Sequence, residues 1–162
     1  MVWSFLDLSP FRVFAILGAG LQEDPNYPYS TQMPAPNIPP ALTEFARLFN
    51  SGAFWEGHEI LEVPWKESRS DFYHGLILLA SAFVHRDRRN VHGVIAQLDK
   101  AQPILQRFWP SYAGVDVDQV MRMVTDLRTL AAGGFLEAGG TVQLSLDPAL
   151  VRGDEPELDF TS

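Results

Sequence analysis

From Ala41 to about Leu136, apolar side chains recur every three or four residues, the spacing of one face of an α-helix. The pattern predicts five helices. The first opens at Pro39-Pro40, where proline suits a first turn, carries Leu42, Phe45, Ala46, Leu48 and Phe49, and stops at Asn50-Ser51-Gly52. The second starts near Ala53. Pro64 lacks a backbone N–H and crowds the preceding turn, so this helix is expected to end or kink there. The third follows Ser70, with Asp71 in its first turn, and reaches about Arg88. Leu76 to Val84 is apolar on every side, as in a buried central helix. The fourth is expected to be capped by Asn90 and keeps one apolar row: Val91, Val94, Ile95, Leu98, Ala101, Leu105 and Phe108. Asp116 and Gln119 have the spacing of a capping box for the fifth, whose row of Val117, Val120, Val124, Leu127 and Ala131 stops at Gly133-Gly134. Only Thr141 to Leu146 reads as a strand, and it has no sequence partner. Short connections between successive helices predict an all-α fold, a compact antiparallel bundle of about five core helices.

The flanks differ. Residues 1–40 form an apolar N-terminal segment followed by a linker rich in proline (Pro25, Pro28, Pro34, Pro36, Pro39, Pro40). Residues 41–136 are the helical domain, and 137–162 an irregular acidic tail expected to be mobile beyond Asp147. The apolar stretch Phe11 to Leu21 falls well short of the roughly 20 residues that span a bilayer. No Lys or Arg precedes it, as a signal peptide would require. The segment is therefore expected to dock on protein rather than on membrane. Lys plus Arg total 12 and Asp plus Glu 20, a net charge of −8, which disfavours nucleic acid as a partner. With no cysteine, disulfides, thiolate metal sites and cysteine nucleophiles are excluded. A cytoplasmic location is expected. There is no Gly-rich phosphate loop and no G-x-S-x-G nucleophile elbow.

One stretch breaks the plain core pattern. With His58 as the origin and about 100° per residue, Glu62 falls at about 40° and Trp65 at about −20°, on the side shared with Phe54 and Leu61. An imidazole and a carboxylate one turn apart thus lie on a face expected to bury, with Glu59 flanking. Burying such groups costs several kcal/mol unless each finds a partner. On the third helix His85 shares its side with Gly75, Ser81 and Ala82, small residues that let another helix approach. His74 is about 16 Å further back along the axis, so it and His85 cannot share an ion. Arg86, Arg88 and Arg89 then form the densest basic run.

These residues carry a resemblance. Phe49-Asn50-x-Gly52-x-Phe54-x-Glu56-x-His58-Glu59-x-Leu61-Glu62-x-x-Trp65 resembles the signature of the DUF309 family, bacterial and archaeal proteins of unknown function with an H-x-x-x-E-x-x-[WY] motif. His58, Glu62 and Trp65 match that motif position by position. Gly75-Leu76-Ile77, Ala80, His85, Arg88 and Asn90 resemble the family's second block. Leu78 stands where the family has a polar Gln, and Arg89 where it has Gly. The resemblance implies an all-α fold and a metal-binding role, with no established activity.

Two functional expectations follow. In the first, His58, Glu62 and His85, with Glu59 or Glu56 as a further donor, form one polar site between helices that holds a divalent metal ion (zinc, manganese or iron) or a small ligand. Trp65 and Trp55 would be core residues or its wall, and Arg88 and Arg89 anion contacts. In the second, the cluster is structural, the arginines complement the C-terminal end of the third helix, and the protein is a helical interaction module. It would then form homo-oligomers through apolar helix faces or the N-terminal segment. A metal-dependent hydrolase ranks third, because hydrolysis needs an open coordination position and a placed base.

Overall fold

A computed structural model describes residues 37–138 and 142–151; the expectations for the N-terminal extension and the last acidic residues fall outside this range. Five α-helices dominate: α1 (Pro40–Asn50), α2 (Phe54–Ser68), α3 (Asp71–Asp87), α4 (Val91–Leu105) and α5 (Val117–Gly133). The caps follow the expected chemistry. Ser70 Oγ accepts from the Tyr73 N–H (3.4 Å), Asn90 Oδ1 from Gly93 (2.9 Å) and Asp116 Oδ1 from Gln119 (2.9 Å).

α3 is the central helix. It packs on α2 along one side and on α4 along another, and buries Phe72, Tyr73, Leu76, Leu79 and Phe83. Phe54 stacks on Phe83 with ring centroids 4.9 Å apart, and Phe49 meets both edge-on. A second aromatic group, Phe72, Phe108 and Tyr112, closes the other end of α3, with centroids 4.8–5.1 Å apart. α4 approaches α3 closely because Gly75 leaves room: a Cβ there would come within 2.7 Å of Leu105.

Three features depart from expectation. α2 runs through Pro64 to Ser68 instead of ending there. Leu61 and Trp65 pack against the core on either side of it, and burial worth about 1.5–3 kcal/mol per large side chain offsets the roughly 3 kcal/mol helix penalty of proline. A two-stranded hairpin, β1 (Ser111–Tyr112) and β2 (Val115–Asp116), precedes α5. Its turn places Ala113 and Gly114 at φ 49° and 83°, the left-handed pair a tight hairpin uses. Residues 142–147, where a strand was expected, form only a single bridge yet are docked, and Pro148–Leu150 make a 3₁₀ turn. Leu146 bridges to Val115, Leu144 is buried, and the Asn50 side chain both donates to the Leu144 carbonyl (3.0 Å) and accepts from its N–H (2.6 Å). The Gln119 carbonyl accepts from the Ser145 N–H (3.0 Å), so this amide fastens the C-terminal segment rather than completing a capping box.

Candidate functional site

α2 turns so that His58 and Glu62 lie at the rim of the α2–α3 contact rather than inside it. Their side chains keep 16% and 34% of their exposure, and no polar or charged residue is fully buried among the described residues. The cost of burying charge is thereby largely avoided. His58 Nδ1 is 3.7 Å from Glu62 Oε1, too long for a hydrogen bond, and this buried nitrogen has no hydrogen-bond partner among the described residues. The carboxylate is instead bonded by the Lys66 ammonium. That bond above all holds the Glu62 pKa below its ordinary value; burial pushes the other way, and the Lys66 and His58 charges add to the lowering.

Each of two histidines lies flat on a tryptophan. Trp55 stacks on His58 with centroids 5.3 Å apart and planes 5° apart, and Trp65 stacks on His74 at 4.9 Å and 21°. Trp65 is half-buried against the core, in keeping with a core residue. Trp55 departs from that expectation: it is 50% exposed, a cover over the imidazole rather than part of the interior.

The other expected donors go elsewhere. The Phe54–Phe83 and Trp65–His74 stacks fix an antiparallel register that sets His58 level with Ala80 and Ser81. His85 is about five residues further on, roughly 7 Å along the axis. The His85 ring itself turns to the start of α4. Its Nδ1 is 3.2 Å from the Asn90 amide, and its ring fills the space a Gly93 Cβ would occupy. Glu59 and Glu56 are exposed. Among the described residues no three His, Asp or Glu side chains gather to hold a metal ion. His58 and Glu62 remain a two-donor set, and the described residues do not complete a metal centre.

Two of the three arginine side chains are likewise engaged, and Arg88 acts at the α3 C-cap through its backbone. Arg86 lies over Phe54 and Phe83 (5.1 and 4.9 Å) and pairs with Asp87. Arg89 pairs with Glu137 (2.9 Å). Two open clefts of about 250 and 300 Å³ adjoin Arg89 and Glu137, where acids and bases alternate. The solvent side of α2 was not foreseen from the sequence: Ile60 and Val63 are exposed with Trp55, and Glu56, Glu59 and Glu67 stand among them. The signal was the i, i+4, i+8 spacing of Trp55, Glu59 and Val63 on the side away from Leu61 and Phe54.

These features define a small all-α protein in which one histidine–indole stack, Trp65 on His74, bridges the second and third helices and another, Trp55 on His58, lies within the second. Residues 42–96 match the family model described as "Domain of unknown function (DUF309)". The match covers α1 through the first turns of α4, so it contains the His58–Glu62–Trp65 motif and His85 but neither the hairpin, α5 nor the docked segment. No curated protein matches the chain. Among the described residues no helix is long and apolar enough to cross a membrane.

Proposed function

We propose that this protein is a cytoplasmic helical interaction module in which the His58–Glu62 cluster is structural and the outer face of α2 is the docking surface. The observation that carries this reading is the exposure of Trp55, Ile60 and Val63 (50%, 38% and 61%) around the solvent side of one helix. Solvent-facing apolar groups gathered on one element mark interaction surfaces. The Trp55–His58 stack and the Lys66–Glu62 bond then serve to hold that face in shape. A photo-crosslinking side chain placed at Val63, in the cells that make the protein, tests it against the same group at Arg122 on α5. A discrete adduct from Val63 alone is expected, at twice the chain's 18.1 kDa if the partner is a second copy. Equal adducts from both positions, or none, would contradict it.

A second reading has one observation in its favour: the buried, unpartnered Nδ1 of His58 beside a carboxylate is an available donor atom. Here the pair supplies two ligands to a divalent ion (zinc, manganese or iron), and the remaining donors come from elsewhere. Elemental analysis decides. Stoichiometric metal that is lost in His58→Ala favours this reading over the first.

A further inference from the structure

The indole of Trp55 is backed on one side by the His58 ring and half exposed overall. A ring already held flat loses little freedom when something settles on its open face. That face carries the negative side of the ring quadrupole, which attracts cations. Glu59, one turn on, Glu56 beside it and Glu67 two turns further are exposed and have no ion-pair partner among the described residues. The bases nearby do not cancel them. Lys66 is committed to Glu62, and Arg69 sits past the helix at its C-cap. Val63 and Ile60 add apolar surface beside the acids. A second copy of this face would bring carboxylates against carboxylates, which opposes self-docking.

We infer that the outer face of α2 takes a cationic amphipathic helical segment of a partner protein, with a Lys or Arg of that segment over the Trp55 indole and beside Glu59. The inference rests on the reading of α2 as a docking surface and adds the chemistry of what docks. It also accounts for the unusual mixture on this helix. An indole platform, free carboxylates and short apolar side chains together match the parts of a basic amphipathic helix: cationic head, aliphatic stem and apolar stripe.

The test is calorimetric titration of the full chain with two synthetic helical peptides that share one apolar stripe, one flanked by Lys and Arg, the other by Glu. The basic peptide is expected to bind at least about tenfold more tightly and to weaken with salt. Trp55→Leu, which keeps bulk but removes the π face, should weaken it about 2–5-fold. Glu56→Gln with Glu59→Gln should weaken it further, and Asp126→Asn on α5 should leave it unchanged. If both peptides bind equally and Val63→Ser abolishes both, the cationic assignment is overturned while α2 remains a docking surface. If the basic peptide fails to bind, or binds without regard to the α2 substitutions, the inference is overturned as well.

Discussion

α2 and α3 lie side by side and share an aromatic seam, yet they treat their apolar residues in opposite ways. α3 buries nine of its seventeen residues, and its small positions, Gly75 and Ala82, admit a neighbouring helix. α2 buries four of fifteen and leaves an indole and two aliphatic side chains in water. The difference separates two tasks. Stability is concentrated in α3, where each side chain has many neighbours to lose. The exposed apolar side chains of α2 supply the proposed recognition surface, while its other sides pack on α1 and α3.

The largest expected effect tests the first half of that contrast. Leu79→Ala or Phe83→Ala should cost about 2–5 kcal/mol in chemical denaturation, because a cavity opens in the most enclosed part of the molecule. Next comes the fastening of the C-terminal segment. Asn50→Ala removes both hydrogen bonds to Leu144 and should cost about 1–3 kcal/mol. Limited proteolysis of that variant should cut between 142 and 151 sooner than in the parent. A smaller effect of opposite sign is expected at the α3–α4 turn. Arg89 adopts φ 55°, a conformation glycine takes freely, and its pair with Glu137 is exposed. Arg89→Gly should therefore raise stability by about 0.5–1 kcal/mol, since relief of strain exceeds the value of a surface ion pair.

The smallest effect concerns Glu62. Its pKa in the folded protein lies below the ordinary 4.5. Its contribution to stability is thus present above the unfolded value and is lost as pH falls through the lowered folded one. Lys66→Met removes the main cause, so an NMR titration of Glu62 should move back up toward 4.5. Because the pair is exposed, overall stability at neutral pH should change little. An unmoved Glu62 titration would show that the Lys66 bond is not what holds the carboxylate.

Much of this architecture was legible in the chain. Ser70, Asn90 and Asp116 announced three helix starts, and the apolar run from Leu76 to Val84 announced the central helix, because capping and periodicity are local properties. The hairpin at Ser111 to Asp116 was not legible: two-residue strands are too short to show alternation, and Ala113 gives no hint that it will adopt a positive φ. His85, expected near His58 and Glu62, contacts Asn90 and Gly93 at the start of α4, which was not legible for a different reason. A helix's own period tells which residues share a side, but not which helix that side will meet. Gly75 does admit a close neighbour, and it is α4. Trp55 was read as core because indoles bury large areas, whereas burial of apolar groups is a tendency that surfaces regularly escape. The spacing of His58 and Glu62 does bring them within 3.7 Å of each other, but their part-exposed setting depended on how α2 packs.

The separation of stability from recognition is tested most directly by the double variant Ile60→Ser with Val63→Ser, carrying a photo-crosslinker at Glu67 and compared with the same labelled parent. Two quantities are read from one sample: the melting temperature and the yield of partner adduct. Stability is expected within about 1 kcal/mol of the parent, because Val63 keeps 61% and Ile60 38% of its exposure, together with a fall in adduct of about tenfold or more. A melting temperature lowered as far as that of Leu79→Ala, or an adduct yield that does not change, would contradict that separation.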